Sequence, residues 1–227
     1  MYFPYLLVSM NKTPDAPRTR DPAKTREKIL DASLGLILDH GFGATTVDAV
    51  VARAGITKGA FFHHFASKSD LGRALVDRYA LMDREHFAER MARSRKLASD
   101  PLQQLLLLIA LYEEDFEALE EPFPGCLFAS YIYENKLFDE GTLEVLREST
   151  LMWRREMREM LDKVVAVHPP RLEVDLESLA DLFYAITEGS FIMIKTLGDR
   201  TLLARHTRHL RNYLELLFGA ATPPART

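Results

Sequence analysis

The sequence contains one cysteine, Cys126, in 227 residues. A single cysteine excludes an intrachain disulfide and a thiolate-cluster zinc site, and it suits a reducing compartment. Long hydrophobic runs are also missing. The opening "MYFPYLLVSM" is apolar for only a few residues, whereas a membrane-spanning helix needs roughly twenty. No basic segment precedes this stretch and no small-residue cleavage site follows it, so a signal peptide is not expected. Met10 is a second candidate start. Together these absences lead to the expectation of a cytoplasmic chain that does not associate with membranes.

Chemistry-bearing motifs are absent as well. The sequence has no GxSxG, no HExxH, no GxGxxG following a strand, and no phosphate-binding loop. No nucleophile stands out, so neither an enzyme nor a cofactor is expected. His63 and His64 are neighbours and would sit about 100° apart on a helix, which prevents both from ligating one metal. His206 and His209 share a helix face but read as solvated, and no metal site is assigned. No stretch alternates β-branched residues with polar ones, which argues against a sheet.

What the chain does have is helical periodicity from Lys24 onward. Ile29, Ala32, Ser33, Leu36 and Ile37 fall on one face, and "HGFG" ends the segment with Gly41 as a left-handed cap. Thr45 and Thr46 offer N-caps for a short second helix with Val47, Val50, Val51 and Ala54 inside. Gly55 breaks it. Thr57 caps a third helix two residues later, with Ile56 and Phe61 spaced as a hydrophobic staple. Ser67 and Asp70 are spaced as a capping box for a longer fourth helix carrying Leu71, Ala74, Leu75, Tyr79 and Met82 on one face. The segments that follow are helical too. Asp100 and Pro101 open one, Cys126–Asp139 form another, and further helices cover Thr142–Val167, Asp175–Leu197 and Thr201–Phe218. The expected fold is all-α with about nine helices. Residues 1–22 form an arm, 23–70 a helix-turn-helix unit, 71–220 a larger helical body and 221–227 a tail.

Two helices joined by a short turn containing Gly, with a third packed below, describe a helix-turn-helix, whose second helix enters the major groove of DNA. The first turn of that helix carries Thr57, Lys58, Gly59 and Ala60, small enough for close approach to base edges. Helix starts at Thr46, Thr57 and Ser67–Lys68 supply amide groups that attract phosphate. Charge agrees in direction. Residues 1–80 carry 11 Lys+Arg against 8 Asp+Glu, while the remainder carries 18 against 25. A basic front on an acidic body fits an encounter with a polyanion.

The stretch "TREKILDASLGLILDHGFGATTVDAVVARAGITKGAFFHHFASKSDL" closely resembles the N-terminal domain of TetR-family transcriptional regulators. The resemblance is motif-specific over residues 25–79. The later helices match that family in number, length and order only. It implies that Thr46, Thr57, Lys58, Gly59, Phe62, His63 and Lys68 occupy the positions that meet operator DNA, with His64 turned inward. Many members have Tyr where this chain has Phe62. Phe62 has no hydroxyl to offer a phosphate, so it is left to pack on sugar or methyl groups.

In the body, "LESLADLFYAITEGSFIMIKTL" carries Leu179, Leu182, Phe183 and Ile186 on one stripe and becomes apolar nearly all round at Phe191–Ile194. Such a helix is buried on two sides. With "LRNYLELLF" it could pair with a symmetry mate, and the resemblance likewise implies a homodimer through 175–197 and 201–218. The middle helices are rich in aromatics and Met. Family members bind small effectors in this region, which makes Tyr112, Phe116, Phe128, Tyr131, Trp153, Met157, Tyr184, Asn135 and Glu188 the candidate contacts, with a packed core as the plainer reading. Cys126, at a helix start, is either a thiol sensor or a small buried corner residue. The expected function is a ligand-responsive, DNA-binding regulator, in the main a repressor. It would bind a palindromic operator as a homodimer and be released by a small-molecule effector. The alternative is a helical small-molecule-binding protein or helical-bundle enzyme without DNA binding.

Overall fold

The computed structural model describes residues 22–120 and 124–219, and they form nine α-helices and one 3-10 turn. Of the expected arm over residues 1–22 only Pro22 is among the described residues, where it starts the first helix, and the tail over 221–227 lies outside them. The helices are α1 (Pro22–His40), α2 (Val47–Ala54), α3 (Lys58–His64), α4 (Lys68–Leu97), α5 (Pro101–Glu117), α6 (Leu127–Tyr133), α7 (Glu140–Val167), α8 (Leu176–Leu197) and α9 (Leu202–Phe218), with the 3-10 turn at Asn135–Leu137. Among the described residues no helix is long and apolar enough to cross a membrane.

The chain divides into two compact units. The described part of the first comprises 22–86 and 124–149, and that of the second 87–120 and 150–219. The division therefore falls inside α4 and α7, not at residue 70. Residues 124–149 join the first unit because α6 and the turn after it supply its aromatic core. Phe128 meets Tyr79 edge to face at 4.9 Å, and Tyr131 and Phe138 stack at 4.1 Å with Phe42 packed on both.

In the first unit α1 packs against α2, α3 and α6. Its buried side holds Ile29, Leu30, Leu34 and Ile37, and Ser33 satisfies its buried hydroxyl by donating to Ile29 O at 2.6 Å. Gly41 ends the helix at φ +85° and donates to Ile37 O. Arg78 of α4 reaches Glu27 and Asp31 of α1 at 2.9 Å each. Ser67 caps α4 by accepting from Asp70 N, but the Asp70 carboxylate returns to Ala66 N, one residue earlier than a standard capping box. The helix expected over Cys126–Asp139 is shorter. It ends at Tyr133 because Phe138, in extended conformation, turns back to stack on Tyr131.

In the second unit α9 packs on α5 and α8. Asp100 and Pro101 start α5 as expected. The core is a cluster of rings: Trp153 stacks on Phe183 at 5.5 Å and meets Phe87 at 4.5 Å, while Tyr112 touches both Trp153 and Phe183. Burial pushes the Tyr112 hydroxyl pKa well above its ordinary range. The buried Glu113 carboxylate accepts from Arg208 at 2.5 Å and Arg211 at 3.1 Å, tying α5 to α9. Arg90 forks onto Asp115 at 2.7 and 2.8 Å.

Two outcomes follow. Phe183→Ala removes the ring that both Tyr112 and Trp153 contact, and a urea titration should read a loss of about 3–5 kcal/mol. The second concerns acid. Asp100 accepts from His168 at 2.6 Å and from Gln103 N, and these contacts, His168 first, hold its carboxyl below the usual carboxylate range. A carboxyl lowered by folding stabilises the protein above its unfolded pKa and loses that contribution as pH falls through its folded value. The Tm gap between wild type and Asp100→Asn should therefore be widest near neutrality and close below about pH 4.

Candidate nucleic-acid interface

The α2–α3 segment is held by local rules that its sequence states directly. Thr46 sits in extended conformation and accepts from Ala49 N at 3.1 Å, while Thr57 does the same for Ala60 N at 3.2 Å. Each cap is worth about 1 kcal/mol. Between them Gly55 adopts φ +64°, and Gly55 N and Ile56 N close the end of α2 on Ala52 O and Val51 O. Thr45 does not cap. Its buried hydroxyl donates to Gly41 O at 2.8 Å, leaving the capping to Thr46.

α3 has only seven residues, and its inner side is anchored by Phe61, fully buried, followed by Phe65, whose rings lie 5.9 Å apart. That anchoring turns Lys58, Gly59, Phe62 and His63 outward. All four are exposed, Phe62 to 49%, while Ala60 and His64 are half-buried. His63 and His64 meet edge to face at 5.1 Å. Lys58 Nζ pairs with Asp48 Oδ1 at 2.9 Å, joining the first turns of α3 and α2. Both partners are largely exposed, so the pair is worth under about 1 kcal/mol.

Gly59 is informative. It lies inside the helix without a positive φ, and a Cβ there would meet nothing nearer than Thr57 Oγ1 at 4.0 Å. Among the described residues nothing requires glycine at this position, although glycine costs a helix about 1 kcal/mol against alanine.

Lys68 behaves differently from Lys58. Its ammonium donates to Gly43 O at 3.1 Å and lies 4.5 Å from the Phe42 ring centroid. Burial lowers its pKa, and the Glu134 carboxylate acts in the opposite sense. The side chain is half-buried, and it ties the first turn of α4 to the α1–α2 loop.

The residues expected around an effector are divided between the two units. Phe128, Tyr131 and Asn135 belong to the first unit. Phe128 and Tyr131 are core there, Tyr131 donating to Gly72 O at 3.1 Å, and Asn135 is exposed in the 3-10 turn. Tyr112, Phe116, Trp153 and Met157 are buried in the second unit. Tyr184 joins Trp153 in lining a cleft of about 180 Å³ with Thr150, Arg154, Ala180 and Asp181. Arg154 spans this cleft's rim, bound to Asp181 at 2.7 and 2.8 Å and to Glu177 at 3.2 Å. Glu188 is half-buried. Cys126 is buried immediately before α6. Among the described residues no group of three His, Cys, Asp or Glu side chains could hold a metal. Sequence reasoning missed Asp48, Arg154 and Asp181. Their charges read as ordinary solvated surface until the helices are packed.

A capped short helix, a left-handed glycine turn and a second capped helix constitute a helix-turn-helix, the arrangement used by many DNA-binding proteins. Comparisons with known proteins agree. Residues 29–75 match the family model described as "Bacterial regulatory proteins, tetR family", and residues 101–210 match "Tetracyclin repressor-like, C-terminal domain". The transcriptional regulator AcuR of Cereibacter sphaeroides is 24% identical over 180 residues, covering 77% of this chain and 78% of that one. The HTH-type transcriptional repressor KstR2 of Mycolicibacterium smegmatis is 30% identical over 107 residues, 47% of this chain and 48% of its own. A TetR-family regulator from Agrobacterium tumefaciens has the same fold, with a TM-score of 0.71 at 24% identity over 87% of this chain and all of that one. The chain belongs to the TetR family of transcriptional regulators, DNA-binding proteins and not enzymes.

The turn generates its own test. Gly55 has open space around its Cβ position, so Gly55→Ala meets only the left-handed backbone penalty. Chemical denaturation should read a loss of about 1–2 kcal/mol.

Proposed function

We propose that the chain binds a palindromic operator as a homodimer, represses transcription there, and is released when a small molecule occupies its helical body. The observation that carries the DNA mode is Gly59, a helix-weakening residue that no neighbour in the chain explains and that a close-fitting outside surface would. In this reading α3 enters the major groove. Gly59 and Ala60 allow close approach, Thr57, Lys58 and His63 reach phosphate or base edges, and Phe62 packs on sugar or thymine methyls. Phosphate draws Lys58 off Asp48, a weak exposed pair. Thr46 and the amides at the start of α4 meet the flanking backbone, while the Lys68 side chain keeps the α1–α2 loop in place.

Dimerisation is supported by apolar side chains left exposed on the last two helices. Gly189, Ile192, Met193 and Leu197 recur along one side of α8, with Ile192 58% exposed, and Tyr213 and Leu216 lie one turn apart on α9. Two half-sites lie about 34–36 Å apart on DNA, which a twofold pair of reading helices satisfies. Repression is carried over from the relative named as a repressor. The cleft between α7 and α8 beside Trp153 and Tyr184 is the described cavity that supports effector binding, with Cys126 too buried to favour a sensing role.

Gly59 separates stability from function. Gly59→Ala should raise stability by up to about 1 kcal/mol, and Gly59→Leu should weaken binding of an operator duplex by roughly tenfold or more, both read by denaturation and fluorescence anisotropy. Unchanged affinity in Gly59→Leu would remove the proposed groove contact. Lys58→Ala should reduce the salt-dependence slope of that binding by about one unit. Sedimentation of Met193→Asp with Leu216→Asp should give monomer where the wild type gives dimer.

A further inference from the structure

The loop Gly41–Thr45, which delivers the chain into α2, is held from a distant part of the sequence. Phe42 N donates to Glu134 Oε1 at 2.9 Å and Gly43 N to Glu134 Oε2 at 2.6 Å, across more than ninety residues. Two successive amides converging on one carboxylate form an anion-binding nest, here filled by the residue that ends α6. Both glycines of the nest are shaped to it. A Cβ on Gly41 would fall on Glu134 Oε1, and one on Gly43 would lie 2.9 Å from Oε2 and 3.3 Å from Leu137. Phe42 is buried against Tyr131 and Phe138, and a Cβ on Gly72 would come within 2.8 Å of its ring. From the other side Lys68 Nζ holds Gly43 O.

We infer that Glu134 is a positioning residue for operator recognition, fixing the α1–α2 loop and through it the register of α2 and α3. The route is short. The Thr45 hydroxyl and amide tie the loop internally to Gly41 O and Phe42 O, Thr46 then caps α2, and a three-residue turn leads to α3. A loop released from Glu134 loses a charge-assisted anchor on both amides, while the inner anchors Phe61 and Phe65 stay in place. α3 remains folded but is aimed less sharply. Sequence-specific binding depends on that aim, whereas non-specific binding depends on charge. Glu134 itself touches no DNA in this account. The inference rests on the DNA-binding reading above.

The test uses the full chain with two fluorescent duplexes, one enriched by in-vitro selection on the wild type and one of random sequence. Glu134→Gln, which keeps the shape but turns an amide donor toward an amide donor, should lose roughly tenfold on the selected duplex. Its affinity and salt slope on the random duplex should match wild type, with a Tm lower by a few degrees that leaves the chain folded at the assay temperature. Glu134→Asp, a methylene short, should fall in the same direction. Selected-duplex affinity within twofold of wild type, or equal losses on both duplexes, would overturn the positioning role. Should the variants fail to fold, amide exchange in the wild type decides. Phe42 and Gly43 amides should exchange far more slowly than that of the exposed Ala44, and equal rates would overturn the clamp. A wild type that binds neither duplex would sink the DNA-binding reading, leaving the exchange data to judge the clamp itself.

Discussion

Burial of the Phe61 ring is the constraint from which the helix-turn-helix is built. A helix of seven residues has too few internal hydrogen bonds to persist alone in water, so α3 exists because one side of it is held. Phe61 and Phe65, four residues apart, supply that side. Once they point inward, helical geometry leaves no choice about the residues between and before them. Lys58, Gly59, Phe62 and His63 must face out. The outward surface of α3 is thus a by-product of core packing. The caps at Thr46 and Thr57 and the left-handed Gly55 set only where each helix begins and at what angle it leaves the other.

A second layer of restraint acts on the loop before α2 and is polar. The Phe42 and Gly43 amides, the Glu134 carboxylate and the Lys68 ammonium form a compact electrostatic knot beside an aromatic one made of Phe42, Tyr131 and Phe138. The two depend on each other. The rings bury Phe42 on the loop's inner side, and the charged contacts hold the backbone that seats it. The second unit shows the same division of labour on a larger scale. Rings around Trp153 fill its interior, and Glu113, Asp115, Asp181 and Asp100 bind helix to helix through Arg or His partners. Glu113, whose side chain is 8% exposed, would be costly to bury without its Arg partners.

Much of the head was legible because its signals are local. Gly41 and Gly55 as left-handed caps, Thr57 as an N-cap, and Asp100 with Pro101 at a helix start all depend on residues within four positions of one another. Thr45 and Thr46 were equivalent on paper, and packing separated them by burying one hydroxyl against Gly41 O. The end of α6 was not legible, since helix periodicity continues past Tyr133 and only the Tyr131–Phe138 stack ends it. The intrachain contacts of Lys68 were not legible, since its neighbours in sequence say nothing about Phe42 or Gly43, which reach it only through the fold.

The sequence by itself determined the all-helical class, the helix-turn-helix with its caps and glycine turn, and the residues of α3 that face outward. Those depend on spacing within a turn or two of helix, where geometry is nearly independent of the rest of the chain. Tertiary structure decided the assignment of residues 124–149 to the first unit, the separation of the aromatic residues into two cores, and the seating of Glu134 in the Gly41–Gly43 nest. Each of these joins groups tens of residues apart, and a contact at that distance leaves no periodic trace in either partner's neighbourhood.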